Sequence, residues 1–503
     1  MKYVIGVDVG TSATKTVLFD SRGNIVAQSS ISYPLYQPQN GWAEQNADDW
    51  FRATVKSIKE VITSSNLRGK DIKGIGVSGQ MHGLVLLDKE NNLLCNSIIW
   101  CDQRTGKECE EIKERFKDRY LSLTSNLPST AFTLSKLLWI KNNKKDIYSK
   151  IDKVLLPKDY INFKLTGKFA TDVSDASGTG YFDVAGRDWC KKILDAYNIS
   201  PNWVPKVYES GDKISNIKKS ISKLTCLSES CIVVAGAGDQ AASALGNGII
   251  SQGDISITLG SSGVVFAPLL SSKVDKKGRV HTFCHAVKGL WHVMGVTQAC
   301  GLSVKWFKDN FCQNLDSAPF KNIYALLDDK IKNHSPNGRI IYLPYLMGER
   351  TPHLDSECRG AFIGLSASHT IFDIYNAVIE GANFSIKDCF EIIAGLGLKS
   401  ADIKVSGGGA ASEIWLKKLS ECLNFPMTKS QNQDSGALGV AMLASAACIY
   451  NSIEESKDAM IKTDNQTIIP KKENFELYNR KYQIYKKLYS DIKESNNQLA
   501  LLN

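Results

Sequence analysis

Asp239 is the residue of this chain best set to take a proton. It stands in CIVVAGAGDQAASALGNG (231–248), where the Val-rich run reads as a buried strand, the glycines as a turn and the small residues beyond as a helix. A carboxylate held at the start of a helix can accept the proton of an alcohol, the step that phosphoryl transfer to a hydroxyl requires. It can equally cap the helix that begins near Gln240, and the two roles do not exclude each other. The phosphoryl group needs an oxyanion cradle, which DVGTSATK (8–15) supplies between two apolar strands. Gly10, Thr11 and Ser12 offer backbone N–H groups and two hydroxyls, and Asp8 just before them can hold Mg²⁺ directly or through water. LGSSG (259–263) offers the same donors at the start of the other half, and VSGGGAAS (405–412) ends a strand and opens a helix whose positive end faces a bound anion or nucleotide. Together these turns describe a cleft that grips a nucleotide from both sides.

Acceptor contacts require polar groups in apolar surroundings. GQMHG (79–83) supplies Gln80 and His82 there, against the alternative that His82 is a structural hydrogen bonder. His281, Cys284 and His285 in HTFCH (281–285) have no second ligand cluster beside them, so no zinc site is expected.

The elements that must position these residues read as an α/β arrangement. Strands YVIGVDV and TVLFD flank the first turn, and a third strand, IVAQSS, follows. After a proline-rich polar stretch, Trp50, Phe51, Val55, Ile58 and Ile62 recur at helical spacing behind Asp48, an expected N-cap. Strand 72–79, a hairpin-like run through IIW at 98–100 and a charged helix over 104–118 come next. From 251 the chain begins again, because GDISITLGSSGVVFAPLL repeats the strand, Gly-Ser/Thr turn, strand layout of residues 3–19. Two related lobes are therefore expected, 1–248 and 249–503. The second would hold a long helix over 369–393, a strand at 403–409, a small-residue helix DSGALGVAMLASAACI and a helical tail whose Tyr478, Tyr482, Tyr485 and Tyr489 form a packing stripe.

Composition agrees with such a chain. At 503 residues it is too long for one core, since single cores stop growing near ~250–300 residues. With 43% hydrophobic and 22% charged residues it should fold throughout. Its net charge of +9 comes from scattered lysines rather than a basic stripe, so no nucleic-acid partner is expected. Thirteen well-separated cysteines without a Cys-x-x-Cys pair favour a reducing compartment. The N-terminal apolar run is broken at Asp8 and the longest apolar stretch, 438–450, is short of the ~20 residues a bilayer requires. A cytoplasmic protein without membrane contact is the expectation.

In order along the chain, GVDVGTSATK, SGQMHG, IIWCDQR, LLPKDYINFKLTG, ATDVSDASGT, GAGDQAA, ITLGSSGVVFAP, GERTPHLD and GGGAAS make it resemble the FGGY carbohydrate kinases, from about residue 3 to 447. The wording of SGQMHG, LLPKDYINFKLTGKFATDVSDASGT and GERTPHLDSECRGAFIGL is nearest the branch that acts on D-xylulose. The resemblance implies two actin-like, ribonuclease-H-like lobes around a cleft, with Mg-ATP mainly on the C-terminal lobe and sugar mainly on the N-terminal one. By motif match it makes Asp239 the catalytic base, Asp8 the carboxylate near magnesium, and Met81 and His82 sugar contacts. Gly260, Ser261, Gly301, Gly408 and Ser412 fall on nucleotide-binding positions. The implied reaction is phosphorylation of D-xylulose to D-xylulose 5-phosphate; monomer and homodimer both stay open. Three departures bear on the sugar: Gln240 where the branch has Asn, which is similar to glycerol kinases and could touch the acceptor; LGSSG for LGTSG; and NLPSTAFTLSKLLW (126–139). Another pentulose, a deoxy-sugar or a polyol are the alternatives.

Two readings of other classes compete. GIGVSG (74–79) and GAGDQA (236–241) fit dinucleotide-binding glycine patterns, but the first precedes strand rather than helix and the second sets an acidic side chain where a pyrophosphate would lie. A non-catalytic sugar sensor would have no need of both Asp8 and Asp239. No G-x-x-x-x-G-K-[ST] occurs, which excludes a P-loop kinase.

Overall fold

Strand Tyr3–Val9 lies at the centre of a seven-stranded sheet ordered Lys213–Asn216, Ile232–Val234, Ile72–Gly79, Tyr3–Val9, Ala13–Asp20, Ile25–Ser32, with Ala237–Gly238 also paired to Ile72–Gly79. Val4, Ile5 and Val7 are wholly buried, because helices cover both faces of this strand and its residues cannot alternate with solvent. The computed structural model describes residues 2–333, 338–398, 402–432, 434–462 and 467–502.

A second seven-stranded sheet repeats the plan. Asp254–Leu259 pairs antiparallel with Gly263–Leu269 and parallel with Asp402–Ser406, just as Tyr3–Val9 pairs antiparallel with Ala13–Asp20 and parallel with Ile72–Gly79. The echo between the two halves of the sequence is thus an echo of topology: two α/β lobes.

Helix Ser435–Cys448 departs from the division at 248. It lies against the first sheet, in one apolar cluster with Val4, Val17, Ala241 and Ala242. The approach is so close that a Cβ at Gly6 would stand 1.9 Å from the Ala437 carbonyl oxygen, and one at Gly439 would stand 1.9 Å from that of Ala242. Only glycine permits backbone contact of this kind, and the alanine-rich helix supplies the matching small surface. The chain therefore builds the second lobe and then returns to the first.

Smaller departures have local causes. Asn46, not Asp48, caps helix Ala47–Ser65, its side chain accepting from the Asp48 N–H at 2.9 Å; Asp48 instead takes the Tyr160 hydroxyl at 2.5 Å. The hairpin-like run after residue 83 sends Val85–Leu87 to pair with Lys153–Leu155, and Ser97–Ile98 with Glu44–Gln45. Tyr478, Tyr482 and Tyr485 of helix Lys472–Ala500 are buried against Phe384 and Tyr345, the packing role their spacing predicts. Among the described residues no helix is long and apolar enough to cross a membrane.

Candidate active site

The register of the first sheet collects its acidic groups at one end. Asp8 is opposite Ser78, and Ala237–Gly238 is opposite Ser78–Gly79, so Asp239, first residue of helix Asp239–Gly246, emerges beside Asp8. Burial pushes the Asp239 carboxyl up to about 7, the charge of Asp8 adds to the rise, and hydrogen bonds from Gln240 oppose it; the Gln240 backbone N–H donates to Oδ1 at 2.8 Å. Asp8 is raised as well, first by burial and then by Asp434, against the Ser78 hydroxyl and Lys15. Its Oδ1 is buried without a hydrogen-bond partner, an orphan that a cation would satisfy. No cluster of three or more His, Cys, Asp or Glu able to hold a metal occurs among the described residues. A magnesium ion here would accordingly take its other ligands from water and phosphate.

The first turn closes through the Gly10 N–H to the Ala13 carbonyl at 3.0 Å. Gln80, expected to meet substrate, is buried and spends its amide on the protein: it donates to Gln45 Oε1 at 2.8 Å and accepts from the Thr11 hydroxyl at 3.3 Å. It braces the turn instead. Trp100, which the sequence reading passed over, donates its indole N–H to Thr11 Oγ1 at 2.9 Å while its ring stays exposed. Its loop is locked by buried Asp102, which accepts from Arg104 and from the Ala43 N–H, and by the Arg104 guanidinium lying 3.6 Å over Trp42.

In the second turn Ser261 is exposed. Helix Gly301–Phe311 abuts it through the Gly301 N–H to the Gly260 carbonyl at 2.8 Å and the Leu302 N–H to that of Ser261 at 3.0 Å. A Cβ at Gly301 would fall 2.5 Å from the Gly260 oxygen, so the helix start, with its partial positive charge, can come this close only with glycine. Beyond Asp402–Ser406, Gly408 faces open space, next to a cavity of about 720 Å³ lined by Asp328, Ala410, Glu413, Ile414, Lys417 and Gln431. Ser412 caps helix Glu413–Leu423, its hydroxyl accepting from the Trp415 N–H at 3.1 Å.

Met81 and His82 line the other side of Asp239. Met81 lies against the residue just before it, since a Cβ on Gly238 would be 2.9 Å from Met81 Cγ. His82 bonds the Gly178 carbonyl through Nδ1 at 2.8 Å, and its own carbonyl accepts from buried Lys136 at 2.9 Å. Its ring packs on Phe132 with centroids 5.1 Å apart, and His281 from the second lobe packs 5.9 Å from the same Phe132. Burial lowers His82 to about 3 and His281 to about 4, so both imidazoles are neutral donors and acceptors near pH 7.

Behind Asp239 is a buried charge cluster that the sequence reading quoted in motifs without assigning. Lys158 Nζ is 2.7 Å from Asp159, 3.0 Å from Asp172 and 3.8 Å from Asp175, all wholly or almost wholly buried. Asp172 Oδ2 accepts the Ser174 hydroxyl at 2.5 Å, and Ser174 Oγ accepts the Gly238 N–H at 3.1 Å. The peptide that precedes Asp239 is thereby tied to a buried ion pair. Only the short motifs KDY and DVSDAS marked these residues, and acidic residues are so often exposed that spacing alone gives no sign of burial.

Sequence comparison gives the family of the chain. Residues 3–246 match the N-terminal domain, and residues 255–448 the C-terminal domain, of the FGGY family of carbohydrate kinases. The chain belongs to that family. This FGGY kinase, a sugar phosphotransferase, is 37% identical to the xylulose kinase of Bacillus subtilis, over 99% of each chain. Among solved structures it is similar to a ligand-bound xylulose kinase from Lactobacillus acidophilus, at 29% identity, TM-score 0.92 and 99% and 100% coverage of the two chains. A gluconate kinase from the same organism matches at 29% identity, TM-score 0.92 and 99% coverage of both chains. An overall likeness of this kind does not separate a neutral from an anionic acceptor, and the pocket residues have to.

Proposed function

We propose that this FGGY kinase transfers the γ-phosphoryl group of ATP to D-xylulose, forming D-xylulose 5-phosphate and ADP. The observation that carries the reading is the carboxyl of Asp239, half-buried, raised to about 7 and set beside Asp8 and the first oxyanion turn. A base matched to neutral pH is what removal of an alcohol proton requires. In the reaction Asp239 accepts the proton of the terminal sugar hydroxyl, that oxygen forms a bond to the γ-phosphorus, and the bond to the bridging oxygen of ADP breaks.

The N–H groups of Thr11 and Ser12, those of Gly260 and Ser261, and the Ser12 and Ser261 hydroxyls hold the transferring and leaving oxygens, and the start of helix Gly301–Phe311 adds its partial charge. The adenine end fits the 720 Å³ cavity beside Gly408 and Ser412. Asp8 would hold Mg²⁺, which when bound neutralises phosphate charge. Met81, His82 and Gln240 bound the acceptor around Asp239, so residues 1–248 carry mainly the sugar and 249–503 mainly the nucleotide, helix Ser435–Cys448 excepted. All thirteen cysteines are free thiols, in keeping with a cytoplasmic setting.

The test is ADP release with ATP and Mg²⁺ over D-xylulose, other pentuloses, deoxy-sugars, polyols and D-gluconate. D-Xylulose should give the highest kcat/KM; a clear preference for any other acceptor overturns the substrate assignment.

A further inference from the structure

Among the described residues the Arg350 guanidinium has no hydrogen-bond or ion-pair partner. Its neighbours are pinned: the Thr351 N–H donates to the Val296 carbonyl at 3.0 Å, the Thr351 hydroxyl to that of Arg279 at 2.7 Å, and Glu349 Oε1 accepts the Gln298 and Arg350 N–H groups, each at 2.8 Å. Arg350 itself, half-buried, makes no side-chain hydrogen bond or ion pair among the described residues. Glu349 attracts it only at a distance: its carboxyl, raised by burial to about 8, makes no ion pair with Arg350 among the described residues.

Two observations fix where the guanidinium sits. Val296, to which Thr351 is bound, packs in one apolar cluster with Met81, Phe132 and Phe283, the rings that carry His82 and His281. The positive charge is felt at His82 and His281, whereas Asp239 and Asp8 respond to other groups. The guanidinium therefore belongs to the side of the acceptor pocket that holds the two histidines.

Holding a cation there without an anion costs free energy unless a ligand oxygen offsets it. The guanidinium is a planar fork of donors with no acceptor. His82 and His281 have each committed Nδ1, to the Gly178 carbonyl and to Asn126 Oδ1, leaving Nε2 for hydroxyls. A fork of donors flanked by two neutral imidazoles suits a carbonyl oxygen next to a hydroxyl, the 1-hydroxy-2-keto end of a ketose.

We propose that Arg350 is a specificity-determining residue of the acceptor site, its guanidinium donating to the carbonyl oxygen of the ketose at the end remote from Asp239. This rests on the reading of the chain as a ketose kinase and names the group by which the ketose is told from a polyol.

The test measures steady-state kinetics of wild type, Arg350→Gln and Arg350→Lys on D-xylulose and on xylitol, in which the carbonyl is reduced. In Arg350→Gln the KM for D-xylulose should rise by about 30-fold or more, with kcat and the KM for ATP nearly unchanged, and xylitol turnover should hardly move, since only the acceptor that uses the donor loses it. Arg350→Lys, which keeps the charge but not the fork, should fall between, and it keeps the test open should the Gln variant fold poorly. Equal losses on both acceptors, or a loss confined to kcat or to the KM for ATP, overturns the proposal. Wild-type turnover of D-xylulose tests the underlying reading separately from the xylulose-to-xylitol ratio of the variants.

Discussion

Asp8 and Thr258 occupy the same place in the two lobes and face the same kind of neighbour. Each stands two residues before the glycine of its turn, and each pairs across a parallel register with a serine, Asp8 with Ser78 and Thr258 with Ser406. In the second lobe the pair is two hydroxyls at 3.2 Å; in the first it is a buried carboxylate with an orphan oxygen. On the proposed reading the duplicated frame supplies anion-binding turns twice but acid-base chemistry once. Charge was placed only in the lobe that also carries Asp239, leaving the other turn neutral for the phosphates.

The contrast is easiest to break at Asp239. Asp239→Asn should lower kcat by about 10²–10⁴-fold, the range for losing a positioned base, with the melting temperature kept or raised because a buried ionisable group has been removed. Near-normal turnover in a folded variant would falsify the assignment. Asp8→Thr makes the first turn a copy of the second; kcat should drop on the order of 10²–10³, the scale of losing electrostatic support for the transferring group, and a titration of rate against Mg²⁺ should shift to higher concentration. Thr258→Ala, the reciprocal control, should alter kcat only a few-fold.

Proton linkage sharpens the same comparison. Asp239 must be ionised to act, and its carboxyl sits at about 7, so kcat/KM should fall about tenfold for each pH unit below that value. A profile flat down to pH 5 would mean that Asp239 is not the titrating base. Gly301→Ala probes the neutral lobe: the methyl pushes the helix start off Gly260, so the KM for ATP should rise about tenfold while the KM for sugar stays put. The smallest effect concerns the histidines. His82, His281 and His285, lowered by burial from 6.5 to about 3, 4 and 3, are neutral in the folded chain while the unfolded chain takes up protons. Stability should therefore decline as pH falls from about 6.5 toward 4, read as a dropping melting temperature.

Much of this was legible in the sequence. The repeated strand, turn, strand layout foretold the paired sheets, because strand period and glycine turns are local signals. Asp8, Asp239 and the turns stand out as candidates for the same reason. The bracing of the turn by Gln80 was not legible, because a polar residue at a strand end looks alike whether its amide faces a ligand or a neighbouring loop, and its partners Thr11 and Gln45 are distant in sequence. Trp100 and Lys158 were not legible in the sequence, each being defined by what lies opposite in space, and Arg350 stands out only by the lack of such a partner among the described residues. Helix Ser435–Cys448 was recognised as a helix of small residues, but its seat on the far lobe depends on Gly6 and Gly439 meeting it, a match that no local window contains.

That return of the polypeptide has a consequence for biosynthesis. Strand Tyr3–Val9 leaves the ribosome long before the surface that covers Gly6, which is encoded some 430 residues later. The first lobe must wait for those residues to be translated before one of its faces is sealed, so chains stalled or cut short before them expose that face and are natural clients for chaperones.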